Sequence, residues 1–156
     1  DTMPKFPRYG GRDAVIHNNK LYMCQCQYTA DYGQSSYWGL FSVNLASDAV
    51  EWYSPVSVLG GVPRDANLNN IKVAGDLLII GVGESASVLI FDTATGIWSL
   101  YNNTTMPGLF PSVLTTGWAI FDYDEAAEMV YMGASDPLYW TGVVAFPLLG
   151  TIEQTQ

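Results

Sequence analysis

The sequence predicts an all-β protein built from three copies of one four-stranded antiparallel unit. Two observations carry that prediction. Apolar stretches are short, rich in Val, Ile, Tyr, Phe and Trp, and divided by Gly, Asn, Asp, Pro or Ser, which is strand and turn composition. A pair of strands joined by a polar turn also recurs three times, each time followed by a second hairpin. At 156 residues the chain is long enough for one domain with a real core.

The first hairpin of the first copy is Ala14-Val15-Ile16-His17, the turn Asn18-Asn19, then Lys20-Leu21-Tyr22-Met23. In the second copy it is Ile71-Lys72-Val73-Ala74, Gly75-Asp76, then Leu77-Leu78-Ile79-Ile80. In the third it is Ala119-Ile120-Phe121-Asp122, a longer acidic turn, then Met129-Val130-Tyr131-Met132. Each turn carries Asn, Gly or Asp, which tolerate positive φ. Leu21, Leu78 and Val130 align, with spacings of 57 and 52 residues.

The second hairpins run from Leu40-Phe41-Ser42-Val43-Asn44-Leu45 into Val50-Glu51-Trp52-Tyr53, and from Val88-Leu89-Ile90-Phe91-Asp92 into Ile97-Trp98-Ser99-Leu100. The third runs from Gly142-Val143-Val144-Ala145-Phe146-Pro147 into Thr151-Ile152-Glu153. Trp52 and Trp98 match across the first two copies, and Ile152 stands where the third would have its Trp. A four-stranded unit of about 50 residues closing on a Trp has the sequence form of a β-propeller blade. The expected blades cover about residues 7–54, 66–103 and 113–154 of a single propeller segment spanning 1–156. Three blades make an incomplete ring, because closed propellers have about 4–8. The expected partners are therefore another copy of the chain or further blades.

The phrases Gly11-Arg12-Asp13-Ala14-Val15-Ile16 with Asn19-Lys20-Leu21-Tyr22-Met23, Phe91-Asp92-Thr93-Ala94-Thr95-Gly96-Ile97-Trp98, and Glu128-Met129-Val130-Tyr131-Met132-Gly133 carry a resemblance. With them the chain resembles the kelch and galactose-oxidase-like propeller superfamily, over about residues 7–153. It departs from kelch repeats at the diglycine that ends the second strand. Cys24-Gln25, Gly81-Val82 and Gly133-Ala134 stand there, so the pair is lost or halved each time. The resemblance implies a propeller fold. The copper chemistry of the galactose-oxidase branch needs two His ligands, and His17 is the only histidine.

Charge narrows the function. Only 13% of residues are charged, about half the ~25% of an ordinary domain, and the net charge is -9. Nucleic acid and anionic membrane surfaces, which need clustered Lys and Arg, are disfavoured as partners. No apolar run approaches the ~18 residues of a membrane span. Two overlapping N-x-T sequons at Asn102 and Asn103, few Lys and an acidic balance point to a secreted, extracellular glycoprotein. Cys24 and Cys26 sit two apart, consistent with a disulfide or with buried thiols.

No catalytic constellation is visible: there is one His, and no G-x-S-x-G elbow. No cofactor or metal is expected. The carboxylates of Asp122, Asp124, Glu125 and Glu128 admit a calcium reading, against which stands the absence of a D-x-D-x-D-G pattern and the simpler reading as a solvated turn. The binding candidates are aromatics beside polar loops: Tyr32, Tyr37 and Trp38 in the first copy, and Asp136, Tyr139 and Trp140 in the third. Flat rings there suit a protein partner or a sugar ring. The expectation is a non-catalytic module for interaction, assembly or adhesion, with a carbohydrate-binding, lectin-like propeller as the alternative.

Overall fold

A computed structural model describes residues 13–25, 39–55, 58, 67–83, 87–108, 120–136 and 140–148. Its elements are eleven strands: β1 (Ala14–His17), β2 (Lys20–Gln25), β3 (Gly39–Asn44), β4 (Val50–Tyr53), β5 (Asn67–Ala74), β6 (Leu77–Gly83), β7 (Ser87–Asp92), β8 (Trp98–Tyr101), β9 (Ile120–Asp124), β10 (Met129–Asp136) and β11 (Trp140–Pro147). They form three open antiparallel sheets in chain order: β1 to β4, β5 to β8, and β9 to β11. The fourth strand expected at residues 151–153 lies outside the described residues.

The repeat is visible in backbone hydrogen bonds. Asn44 and Asp92 head the same turn: each side-chain Oδ1 accepts two backbone N–H groups, from Ala46 and Ser47 in one case and Ala94 and Thr95 in the other. Each turn closes on itself in the same way, Asn44 N to Ala49 O and Asp92 N to Ile97 O. The neighbouring hairpin is tied in identically through Leu45 N to Asn19 O, Thr93 N to Asp76 O and, in the third sheet, Leu148 N to Glu128 O. These bonds place Asn19, Asp76 and Glu128 at one repeat position, and confirm the alignment of Leu21, Leu78 and Val130.

They also correct one match. Trp52 lies opposite Phe41, whereas Trp98 lies opposite Phe91, whose counterpart in the first sheet is Val43. The two tryptophans share a face but sit two residues apart in the repeat. The recurring outer-strand aromatic is tyrosine: Tyr53 faces Leu40 and Tyr101 faces Val88 at equivalent rungs. The strand assigned to Ile97 also starts one residue later, and Ile97 is exposed. In the third sheet β9 runs on to Asp124, shortening the acidic turn to residues 125–128.

The sheets stack face to face with β5 to β8 in the middle. Tyr22, Cys24 and Leu40 of the first sheet pack on Ile71, Leu78, Ile80, Leu89, Phe91, Trp98 and Leu100 of the second. On its opposite face the second sheet presents Ala74, Ile79, Val88, Ile90 and Tyr101 to Phe121, Val130, Met132, Val144 and Phe146 of the third. Side chains alternate across a strand, so β7 serves both cores, and Val88 to Phe91 are all buried. The sheets approach most closely at their first strands: β5 lies against β1 and β2 on one side and against β9 on the other.

Candidate interaction surfaces

Both seams between sheets are built to one pattern. The second sheet's front face, which meets the first, has Leu78 and Ile80 on β6, Leu89 and Phe91 on β7, and Ile71 and Val73 on β5. The third sheet's front face, which meets the second, has Val130 and Met132, Val144 and Phe146, and Phe121 and Tyr123 at the same rungs. One aromatic contact recurs at the two seams. The Tyr53 ring lies 4.7 Å from Phe91, and the Tyr101 ring 5.8 Å from Phe146.

Polar groups pin the seams where water reaches them. Asp13 Oδ2 accepts the Ile71 N–H at 3.1 Å, joining the chain before β1 to β5. His17 Nε2 lies 3.7 Å from Asp76 Oδ1 across the first seam and accepts from Asn18 Nδ2 at 2.8 Å. That is a structural setting for the one histidine. Lys72 Nζ pairs with Asp122 Oδ1 at 3.1 Å across the second seam. The Lys72 ammonium, and then the Tyr123 N–H, hold the Asp122 carboxyl below its ordinary range. On the first sheet Lys20 donates to Glu51 at 2.6 Å, and the Tyr53 hydroxyl donates to the same oxygen.

Among the described residues two sheet faces have no sheet packed on them. The first sheet's front face repeats the seam pattern with Leu21 and Met23, Phe41 and Val43, Ala14 and Ile16, and Val50 and Trp52. Every one of these side chains is apolar; Ile16 is 67% and Val50 43% exposed, while Phe41 is buried. The Phe41 and Trp52 rings meet edge to face at 4.1 Å within that surface. At the other end, the third sheet's back face carries Tyr131, Val143 and Ala145, with Tyr131 41% and Val143 70% exposed. Their counterparts in the first sheet, Tyr22, Leu40 and Ser42, are buried in a seam. Burial at these rungs thus depends on whether a sheet follows, and not on residue type.

A cleft of about 470 Å³ adjoins the third sheet's back face. Asp13, Asn70, Lys72 and Asp122 line it from the first strands, and Tyr131, Gly133 and Val143 from the side. Among the described residues no group of three His, Cys, Asp or Glu side chains is placed to hold a metal ion. Asp124, in the acidic turn, uses its Oδ1 to accept the Ala126 and Ala127 N–H groups at 3.0 and 3.1 Å.

Of the sequence-derived candidates, Tyr32, Tyr37, Trp38 and Tyr139 lie outside the described residues, while Asp136 and Trp140 face each other as backbone partners at the ends of β10 and β11. Asn102 and Asn103 follow β8 in a turn where Asn102 Oδ1 accepts from the Thr104 and Thr105 N–H groups. Cys24 is a free thiol, fully buried in the first seam, and Cys26 lies outside the described residues. An incomplete ring of three blades implies two open end faces, but the sequence reading did not name the residues on them. Their signal was present in the alternation, since Ile16, Leu21, Val43 and Val50 fall on the side of the sheet opposite Tyr22 and Leu40.

No family model matches the chain, and no curated protein matches its sequence.

Proposed function

We propose that this chain is a segment of a kelch-like β-propeller and acts as a non-catalytic module of interaction, assembly or adhesion. The repeated seam is the observation that carries the reading. Three antiparallel sheets stacked on equivalent faces, with β5 against β1 and β2 on one side and β9 on the other, are what successive blades about an axis would give. Among the described residues the two end faces of the stack expose apolar side chains, and such surface marks an interaction site. The ring is completed by self-association or by further blades. Of the residues that line the cleft, Lys72 and Asp122 hold each other in a salt bridge and Asp13 accepts the Ile71 N–H, which suits a scaffold better than a reaction. The sequons beside β8 fit a secreted glycoprotein. Negative-stain electron microscopy of the assembled protein tests the reading. A closed ring of blades around a central channel is the expected image, and a straight stack of sheets without an axis overturns it.

A further inference from the structure

We infer that the apolar front face of β1 to β4 receives the open back face of β9 to β11 from a second copy of this chain, so that copies join head to tail. This rests on the propeller reading and names its partner. The first argument is the repeat. Within the chain, a front face carrying Leu78, Ile80, Leu89 and Phe91, and another carrying Val130, Met132, Val144 and Phe146, each seat on the back face of the preceding sheet. The first sheet carries Leu21, Met23, Phe41 and Val43 at those rungs, and among the described residues no sheet covers them. The one back face left open among the described residues belongs to the third sheet, with Tyr131, Val143 and Ala145 at the rungs that Ile79, Val88 and Ile90 fill in the second. A third seam of the same kind needs nothing the molecule does not already make twice.

Continuity supplies the second argument. A match of two first-sheet faces would leave the third sheet's back face uncovered, whereas among the described residues head-to-tail contact covers both open faces at once. Such a contact is heterologous, and it closes when the rotation between copies closes. Two copies supply six sheets, within the range of closed propellers of about 4–8 blades.

Sedimentation equilibrium on the 156-residue chain and on Ile16→Glu and Val143→Glu decides the matter. Both side chains are exposed in the single chain, so the folded β spectrum by circular dichroism should persist; Ile16→Lys and Val143→Lys serve if either Glu variant fails to fold. The expected result is that the parent chain associates at micromolar concentration and each single variant is weakened about tenfold or more. A mixture of the two variants should restore a one-to-one pair, because each brings the intact face the other lacks. Association unaffected by Val143→Glu overturns the inference, since it means that first-sheet faces meet each other. So does a mixture that stays monomeric. A monomeric, folded parent chain also overturns it while leaving the propeller reading intact, with further blades as the remaining way to close the ring. Head-to-tail pairing without a ring in the microscope would be the reverse outcome.

Discussion

Gly39 opens β3 at φ +147°, and a Cβ there would sit 2.5 Å from the Tyr53 carbonyl oxygen and 3.1 Å from Pro55 Cδ. The first obstacle is backbone and cannot swing away. Gly39→Ala should therefore cost about 2–3 kcal/mol through overpacking and strain, read as a lower urea midpoint. Cys24 illustrates burial of a different kind. Desolvation in the first seam, with Asp13 adding to it, pushes its thiol well above the ordinary value, so the nucleophilic thiolate is withheld. Alkylation mapped by peptide mass spectrometry should leave Cys24 unmodified at pH 8 until urea unfolds the protein; labelling of the native protein would show that the seam opens. What single residues do was only partly legible in the sequence. Trp52 and Trp98 invite alignment because they are conspicuous, yet they stand eight and six residues after the turn-heading Asn44 and Asp92. A shift of two keeps a side chain on the same face, so residue type alone could not expose the error. Tyr53 and Tyr101 both stand nine residues after that anchor, and they are the pair that makes the repeated ring contacts.

At the scale of the element, the turns dictate the hairpins. Asp48 and Gly96 occupy equivalent positions, donating to Asn44 O and Asp92 O, and both have positive φ, at 57° and 73°. Nothing lies within 4 Å of a Cβ built on Gly96, so only the backbone conformation opposes a side chain there. Gly96→Ala should cost about 1 kcal/mol and Asp48→Gly should be neutral or slightly stabilising, measured as urea midpoints. The strand pair β3 and β4 also carries a pH signature. Its Lys20 hydrogen bond, and then that of Tyr53, lower the Glu51 carboxyl below the ordinary 4.5. A carboxylate whose folded value is depressed contributes in full above the unfolded value, and its contribution is lost as pH falls through the folded value. Glu51→Gln should thus cost about 0.5 kcal/mol at neutral pH, a small figure because the pair is partly exposed and screened. The difference from the parent should shrink in urea titrations well below pH 4.5. These hairpins were legible in advance because Asn18-Asn19, Gly75-Asp76 and the Asn44 and Asp92 turns state their geometry in local chemistry. Face-to-face stacking followed from the blade reading, but the polar ties across the seams were not legible, since Asp13 to Ile71 and Lys72 to Asp122 join residues far apart in sequence.

For the whole molecule, the middle sheet is the element on which both cores depend. Leu89 and Ile90 are neighbours in β7 and both fully buried, but Leu89 faces the first sheet and Ile90 the third. Truncating either to Ala leaves a cavity worth about 2–5 kcal/mol, depending on how far the surroundings collapse. If the sheets were independent, Leu89→Ala would loosen only the first seam and Ile90→Ala only the second, and each variant would melt in two stages. The geometry argues otherwise. β7 cannot keep its pairing with β6 and β8 for one core while losing it for the other, because its successive side chains hang from one backbone. The outer sheets, in turn, each bury just one face among the described residues and rely on the middle one for it. Both variants should therefore lower the same calorimetric transition, with hydrogen exchange at β2 and β10 accelerated together in each. Amides of β10 that keep parent-like protection in Leu89→Ala, while those of β2 lose it, would show that the seams fold as separate units.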